Sequence, residues 1–266
     1  MKHLIILQSG FCGSHFRMFY IKKILTSHLK DDYEIVISDV NNFLKTFDGI
    51  ENGGKRLANF TKKVCLNKKP TSISFIGHSL GGLYIRACIG ILNNDNFFDT
   101  IIPNLFVTIA TPHLGATCNR LLYNCSRVIH GTTKELFLND DKKIIEQMSL
   151  PNSSYINGLN KFYHRIVYGN VSHDFKVGLQ TACICSSLKT KIDTKNKLIL
   201  IDHEHDCVDS KNKICNNLYK LNFERKAINL GLCWNPHCTI AGIGLLKKNN
   251  ILYDIVHYFL TNKLKM

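Results

Sequence analysis

No apolar run in this 266-residue sequence approaches the ~20 residues that a membrane-crossing helix needs. A spanning helix is therefore not expected. The opening offers only Leu4 to Leu7 between Met-Lys-His and Gln8, too short for the apolar segment of a secretory signal, so an untargeted cytoplasmic chain is expected. Arginine is scarce: only seven of the 34 basic residues carry a guanidinium. Arginine forks are what reads bases and phosphates in pairs, and their scarcity argues against a nucleic-acid partner. Acids are scarce too, 20 against 34 bases, and the net charge of +14 suits diffuse attraction to an anionic membrane surface contacted peripherally. The 11 cysteines include no Cys-x-x-Cys pair. A chain this long buries enough surface to fold without disulfides, so free thiols in a reducing compartment are the expectation.

What is present is an ordinary globular composition, 45% hydrophobic and 20% charged. Short apolar runs recur at Leu4 to Leu7, Tyr33 to Val40, Ile73 to Ile76 and Leu105 to Thr111. Between them lie stretches of helical spacing, Phe16 to Leu29, Gly54 to Leu66 and Leu80 to Leu92. Alternating strands and helices imply a mostly parallel central sheet with helices on both faces. The pattern changes over about 115–163, where Lys134 to Leu138 and Asp140 to Met148 read as helices before Pro151; this is expected to be a helical cap inserted into a single domain covering 1–266. Strand character returns at Arg165 to Tyr168 and Leu198 to Ile201, and an amphipathic helix, Ile251 to Leu260, follows. The polar stretch of about 186–220 reads as a divergent excursion from the sheet.

Gly77-His78-Ser79-Leu80-Gly81-Gly82 follows the strand-like Ser74-Phe75-Ile76 and opens the stretch Leu83 to Ile91. This is Gly-x-Ser-x-Gly in the strand–turn–helix context of a nucleophile elbow, where small flanking residues let a strained serine project above the sheet. A serine of ordinary acidity needs a base, and the base needs an acid to orient it. In α/β-hydrolases the order along the chain is serine, acid, histidine. Asp174 follows the strand-like Arg165-Ile-Val-Tyr168, and His237 lies in the turn-prone Trp234-Asn-Pro-His-Cys. Asp202 and Asp206, clustered with His203 and His205 after Leu198 to Ile201, compete for the acid position. His113 precedes the acid and is read as a wall of the site, His78 as a side chain that packs or hydrogen-bonds locally, and His257 as a residue of the closing helix. The oxyanion donors are expected to be the backbone amides of Leu80, after the nucleophile, and Phe11, in the turn Gln8-Ser-Gly-Phe-Cys-Gly13.

Several segments together resemble the serine esterase family of eukaryotic lipase-like α/β-hydrolases. They are Leu4-Ile-Ile-Leu-Gln-Ser-Gly-Phe11, Thr46-Phe-Asp-Gly-Ile50 with Gly54-Lys-Arg-Leu57, Ile73 to Leu83 around the elbow, Val107-Thr-Ile-Ala-Thr-Pro-His-Leu-Gly115, Leu136-Phe-Leu-Asn-Asp140 and Tyr168-Gly-Asn-Val-Ser-His-Asp174. The resemblance implies a Ser79, Asp174 and His237 triad and hydrolysis of carboxylic esters, often of lipids. One departure is Ser9, which stands where the family usually has histidine.

No cofactor is expected. Cys183, Cys185, His203, His205, Cys207, Cys215, Cys233 and Cys238 have the wrong spacing for a standard zinc site, and no metal is expected. Apolar cap residues Leu136, Phe137, Leu138, Ile144, Ile145 and Met148 are expected to cover an acyl pocket and to meet a membrane. Two other readings use the same residues: an acyl thioesterase acting on protein or coenzyme A thioesters, and a catalytically silent lipid-binding or adaptor protein.

Overall fold

The computed structural model describes residues 2–116, 131–171, 174–185, 198–201, 212–230, 235–242 and 250–261. Seven strands form one sheet: β1 (His3–Gln8), β2 (Tyr33–Ser38), β3 (Ser72–His78), β4 (Ile102–Ile109), β5 (His164–Asn170), β6 (Leu198–Leu200) and β7 (Glu224–Ile228). Their order is β2-β1-β3-β4-β5-β7-β6, and every pairing is parallel except β6 with β7.

The central strands read as continuous apolar runs because both of their faces are covered. On β1, Leu4 and Ile6 join one core with Phe75 of β3, where helices α2 (Ile50–Lys68) and α3 (Leu80–Asn94) pack. Ile5 and Leu7 point the other way, into a second core with Ile21 and Leu25 of α1 (Phe19–His28) and Ile251 and Ile255 of the closing helix Asn250–Thr261. This is the period-2 alternation of a strand exploited on both sides.

Between β4 and β5 the described part of the insertion holds three short helices, α4 (Thr132–Leu136), α5 (Ile144–Gln147) and α6 (Ser154–Asn160). The helix expected over Asp140 to Met148 is shorter than that. Asp140 Oδ2 accepts from the Ile144 amide at 2.9 Å and Lys143 adopts a left-handed φ of +51°, so the preceding residues form a turn. Ile144, Ile145 and Met148, expected at a pocket or membrane, are instead buried in the core beside α3.

The excursion expected at about 186–220 is partly in the sheet: β6 is its antiparallel edge, and Lys213–Tyr219 forms α8, after the short α7 (Leu179–Cys183). Strand β7, which no apolar run marked, lies inside the sheet between β5 and β6. Its Lys226 is buried, but the ammonium is matched by Glu224 and Asp254, each at 2.7 Å, which is how a charged side chain is tolerated there. Among the described residues no helix is long and apolar enough to cross a membrane.

β1 sits between β2 and β3, so the connection from β1 to β2 and the one from β2 to β3 run in opposite directions across the sheet. Such a reversal opens a crevice at the carboxyl ends of the strands. Gln8, Gly77 and Thr108 lie side by side in the register there.

Candidate active site

The turn between β3 and α3 carries Ser79 at φ +57° and ψ −132°, a backbone conformation that side chains other than glycine rarely adopt. The surroundings hold it there. The Ser79 amide donates to the Ile109 carbonyl at 2.9 Å, and the Thr111 hydroxyl donates to the Ser79 carbonyl at 2.8 Å. Gly77 cannot be replaced without a clash, because a Cβ at that position would stand 2.7 Å from the backbone of Gly82 across the turn.

His237 arrives from the far end of the chain on α9 (Pro236–Thr239), a single turn capped by Asn235. Its Nε2 is 2.8 Å from Ser79 Oγ, and its Nδ1 is 3.0 Å from Asp174 Oδ2. The carboxylate accepts only, so Nδ1 carries the proton and Nε2 presents a lone pair to the hydroxyl. The other carboxylate oxygen accepts from the amides of Lys176 and Val177 at 3.1 and 3.0 Å. Asp174 thus closes an Asx turn just beyond β5 while aiming at the imidazole.

The hydrogen bond expected of His78 reaches a distant part of the chain. His78 Nε2 donates to the backbone carbonyl of His237 at 2.8 Å, tying the end of β3 to the helix that carries His237. Burial, reinforced by the nearby His237, pushes the His78 pKa down to about 3, so it is a neutral donor.

The turn after β1 presses on the elbow: a Cβ on Gly10 would meet Ser79 Cβ at 2.6 Å and the His78 carbonyl at 2.8 Å. Phe11 and Leu80, the expected amide donors, both border the same cavity as Ser79 and His237. Neither amide makes a hydrogen bond among the described residues. The neighbouring Cys12 amide is bonded to Thr46 Oγ1 at 3.1 Å, which fixes the turn.

The cavity has a volume of about 300 Å³. Pro112, Ala116, Leu136, Phe137 and Val177 make its walls largely apolar, with Arg17, Lys176, Thr133 and Phe175 also bordering it. Of the six apolar cap residues expected at a pocket, Leu136 and Phe137 reach it, held by bonds from the cap to the start of α2. There Glu135 Oε2 accepts from the Ile50 amide at 2.6 Å, and Thr132 Oγ1 accepts from Gly49 at 2.9 Å. A carboxylate at a helix N-terminus is electrostatically favoured.

His113 is not a wall. It is fully buried behind Pro112, where its Nε2 donates to Thr108 Oγ1 at 2.8 Å and Arg86 donates to its carbonyl at 3.3 Å. His257 is exposed on the closing helix. Asp202, Asp206, His203 and His205 lie outside the described residues. Among the cysteines considered for zinc, Cys183, Cys185, Cys215 and Cys238 are buried, and Cys207 and Cys233 lie outside the described residues. Among the described residues no three His, Cys, Asp or Glu side chains gather as a metal site. The sequence reading missed Arg17 and Thr111, and only the elbow's proximity to the ends of β1 and β4 could have signalled them.

A family model described as "Putative serine esterase (DUF676)" matches residues 1–188, a span that includes Ser79 and Asp174 but ends before His237. The chain is 31% identical over 196 residues to "Putative lipase YDL109C" of Saccharomyces cerevisiae, covering 68% of this chain and 30% of that protein. It is 27% identical over 212 residues to "Putative lipase C4A8.10" of Schizosaccharomyces pombe, covering 72% and 27%. The chain thus spans less than a third of the length of these curated relatives. Among solved structures, a lipase-esterase related protein from Clostridium acetobutylicum superimposes with a TM-score of 0.51 at 11% identity, covering 96% of this chain and 94% of that one. At that identity the likeness speaks for the fold alone, which is that of the α/β-hydrolases.

Proposed function

The chain belongs to the family described as "Putative serine esterase (DUF676)", and on that premise we propose that it hydrolyses carboxylic esters, with lipid acyl esters as the substrate class. The observation that carries this reading is the continuous relay from Ser79 Oγ through His237 to Asp174, 2.8 and 3.0 Å long, at the floor of a largely apolar cavity. An apolar cavity of this size suits an acyl chain, and it leaves the ester carbonyl as the polar group that must find donors.

Ser79 Oγ attacks the carbonyl carbon while His237 Nε2 takes its proton. The negative charge that develops on the carbonyl oxygen is met by the Leu80 and Phe11 amides. Collapse of this intermediate breaks the bond to the alcohol, which leaves with the proton from His237, and Ser79 is left acylated. Water then repeats the attack, giving its proton to the same imidazole, and the carboxylic acid is released as Ser79 recovers its proton. Asp174 keeps the ring oriented and stabilises its cationic form throughout.

The test is labelling of purified protein by a fluorophosphonate, combined with hydrolysis of p-nitrophenyl esters of increasing chain length. Labelling and turnover are expected in the parent protein and absent in Ser79→Ala. Asp174→Asn is expected to lower kcat by on the order of 10³- to 10⁴-fold through misorientation of the imidazole. Undiminished labelling of Ser79→Ala, or a folded parent that turns over no ester in the series, would overturn the reading.

A further inference from the structure

Three apolar side chains are exposed, and each has a cation beside it in sequence: Phe16-Arg17, Leu44-Lys45 and Phe175-Lys176. Phe16 is 61% exposed, Leu44 82% and Phe175 86%. The first two tips form one ledge. The Phe43 amide donates to the Gly13 carbonyl at 3.0 Å, and Asn42 Nδ2 donates to His15 Nδ1 at 3.2 Å. On the ledge Phe16 lies against His15 and Phe19, with ring centroids at 4.1 and 5.1 Å. Arg17 carries the ledge to the cavity's border, and Phe175 and Lys176 border the same cavity from the loop that holds Asp174.

Phe43 sharpens the point. It is 60% exposed and has φ +47°, a strained setting for a bulky side chain. The backbone there turns an aromatic ring outward, where it gains little from the core.

We propose that this face docks on an anionic lipid bilayer, with the apolar tips in the headgroup–acyl boundary and Arg17, Lys45 and Lys176 against lipid phosphates, so that the Ser79 cavity opens onto the membrane. Aromatic and aliphatic tips interleaved with cations are the pattern of an interfacial surface. The face is net basic: residues 11–19 and 42–47 contain no acid, and Asp39, which borders a second groove with Lys45, is outnumbered by Arg17, Lys45 and Lys176. The adjacent Asp48 is bound by Arg56, and Asp174 is turned inward to His237. A second copy, itself carrying +14, would meet this face with repulsion, whereas an anionic bilayer complements it. The surface also differs from the cap residues expected to meet a membrane, since Ile144, Ile145 and Met148 are buried.

The inference deepens the lipid-ester reading and rests on it for its purpose, but binding is measured without turnover. Ser79→Ala protein is floated with phosphatidylcholine vesicles, with or without about 30 mol% phosphatidylserine. Strong binding is expected only to the anionic vesicles, and it should weaken as salt screens the lysines. Phe43→Asn with Leu44→Ser in that background is expected to weaken binding roughly tenfold or more, since each tip contributes burial on insertion. Asn tolerates the left-handed backbone at position 43, so the same pair in the otherwise parent protein should keep its thermal midpoint and its turnover of a short soluble ester. Equal binding to both vesicle types, or undiminished binding by the double variant, would overturn the proposal. Vesicle binding without any ester hydrolysis would instead sink the hydrolase reading and leave the docking surface standing.

Discussion

The imidazole next to Ser79 in sequence holds His237 in space, because His78 Nε2 donates to the His237 carbonyl across 159 chain positions at 2.8 Å. His78 touches no reacting atom; it is a positioning residue that acts through the backbone of α9. Replacing it with Leu removes the donor and strands a carbonyl. The expected result is a kcat roughly 10- to 100-fold lower with KM little changed, since displacement by a fraction of an ångström degrades attack geometry more than binding. His78→Gln, whose amide nitrogen reaches about as far, should recover most of the loss. A Gln variant no better than Leu would show that only packing matters at this position.

Ser79 holds a positive φ that its neighbours enforce, so its hydroxyl is presented from a strained backbone. Ser79→Gly and Ser79→Ala both delete the hydroxyl, yet only glycine relieves the strain. Urea unfolding should find the glycine variant more stable than the alanine one by about 1 kcal/mol, the relief exceeding glycine's larger entropy loss on folding. An alanine variant of equal or greater stability would mean that the elbow is unstrained.

Strands β1 to β5 were legible because helices cover the faces of the sheet, so each carries a short cluster of apolar residues. The elbow was legible for a local reason: Gly77 and Gly81 flank a serine between a strand-like and a helix-like run. Asp174 could be read from the end of a strand. By contrast, β7 reads Glu-Arg-Lys-Ala-Ile, and nothing local announces that Lys226 will find Glu224 and Asp254 to neutralise it. The His78 bond and the place of His113 behind Pro112 depend on contacts between distant segments, which periodicity and composition do not encode. The cap divides in the same way: the pattern marks its apolar residues, but only packing separates Leu136 and Phe137 at the cavity from Ile144 and Ile145 in the core.

Three buried histidines make the fold acid-sensitive. Burial lowers the pKa of His3 to about 4 and that of His78 to about 3, and it drives His113 well below its ordinary value. In the unfolded chain each titrates near 6.5, so below that pH the unfolded state binds more protons and stability falls as the pH is lowered. Each histidine contributes a slope of on the order of 1.4 kcal/mol per pH unit between its unfolded and folded values. Urea midpoints should therefore decline steeply from pH 7 to pH 5. His3→Gln, which removes the imidazole bonded to Ser72 and Ser74, should flatten that decline by about one histidine's share. A stability that is flat or rising over this interval would mean that these rings are already accessible to protons.

Gly10 offers the most direct test of how tightly the first turn is fitted to the elbow. A methyl group there would fall 2.6 Å from Ser79 Cβ, 2.8 Å from the His78 carbonyl and 3.0 Å from the Leu80 nitrogen. Two of those three atoms are backbone and cannot swing aside, so the turn carrying Phe11 must move away. Overpacking of this kind costs about 1–3 kcal/mol of stability. The larger effect should be on turnover, because the shift separates the Phe11 amide from the Leu80 amide, and losing one oxyanion donor typically lowers kcat by ~10²- to 10³-fold. Fluorophosphonate labelling should slow in parallel, since it too places an oxygen between those amides. If Gly10→Ala loses stability but keeps its kcat, the Phe11 amide is not a donor, and the second one must come from elsewhere in the turn.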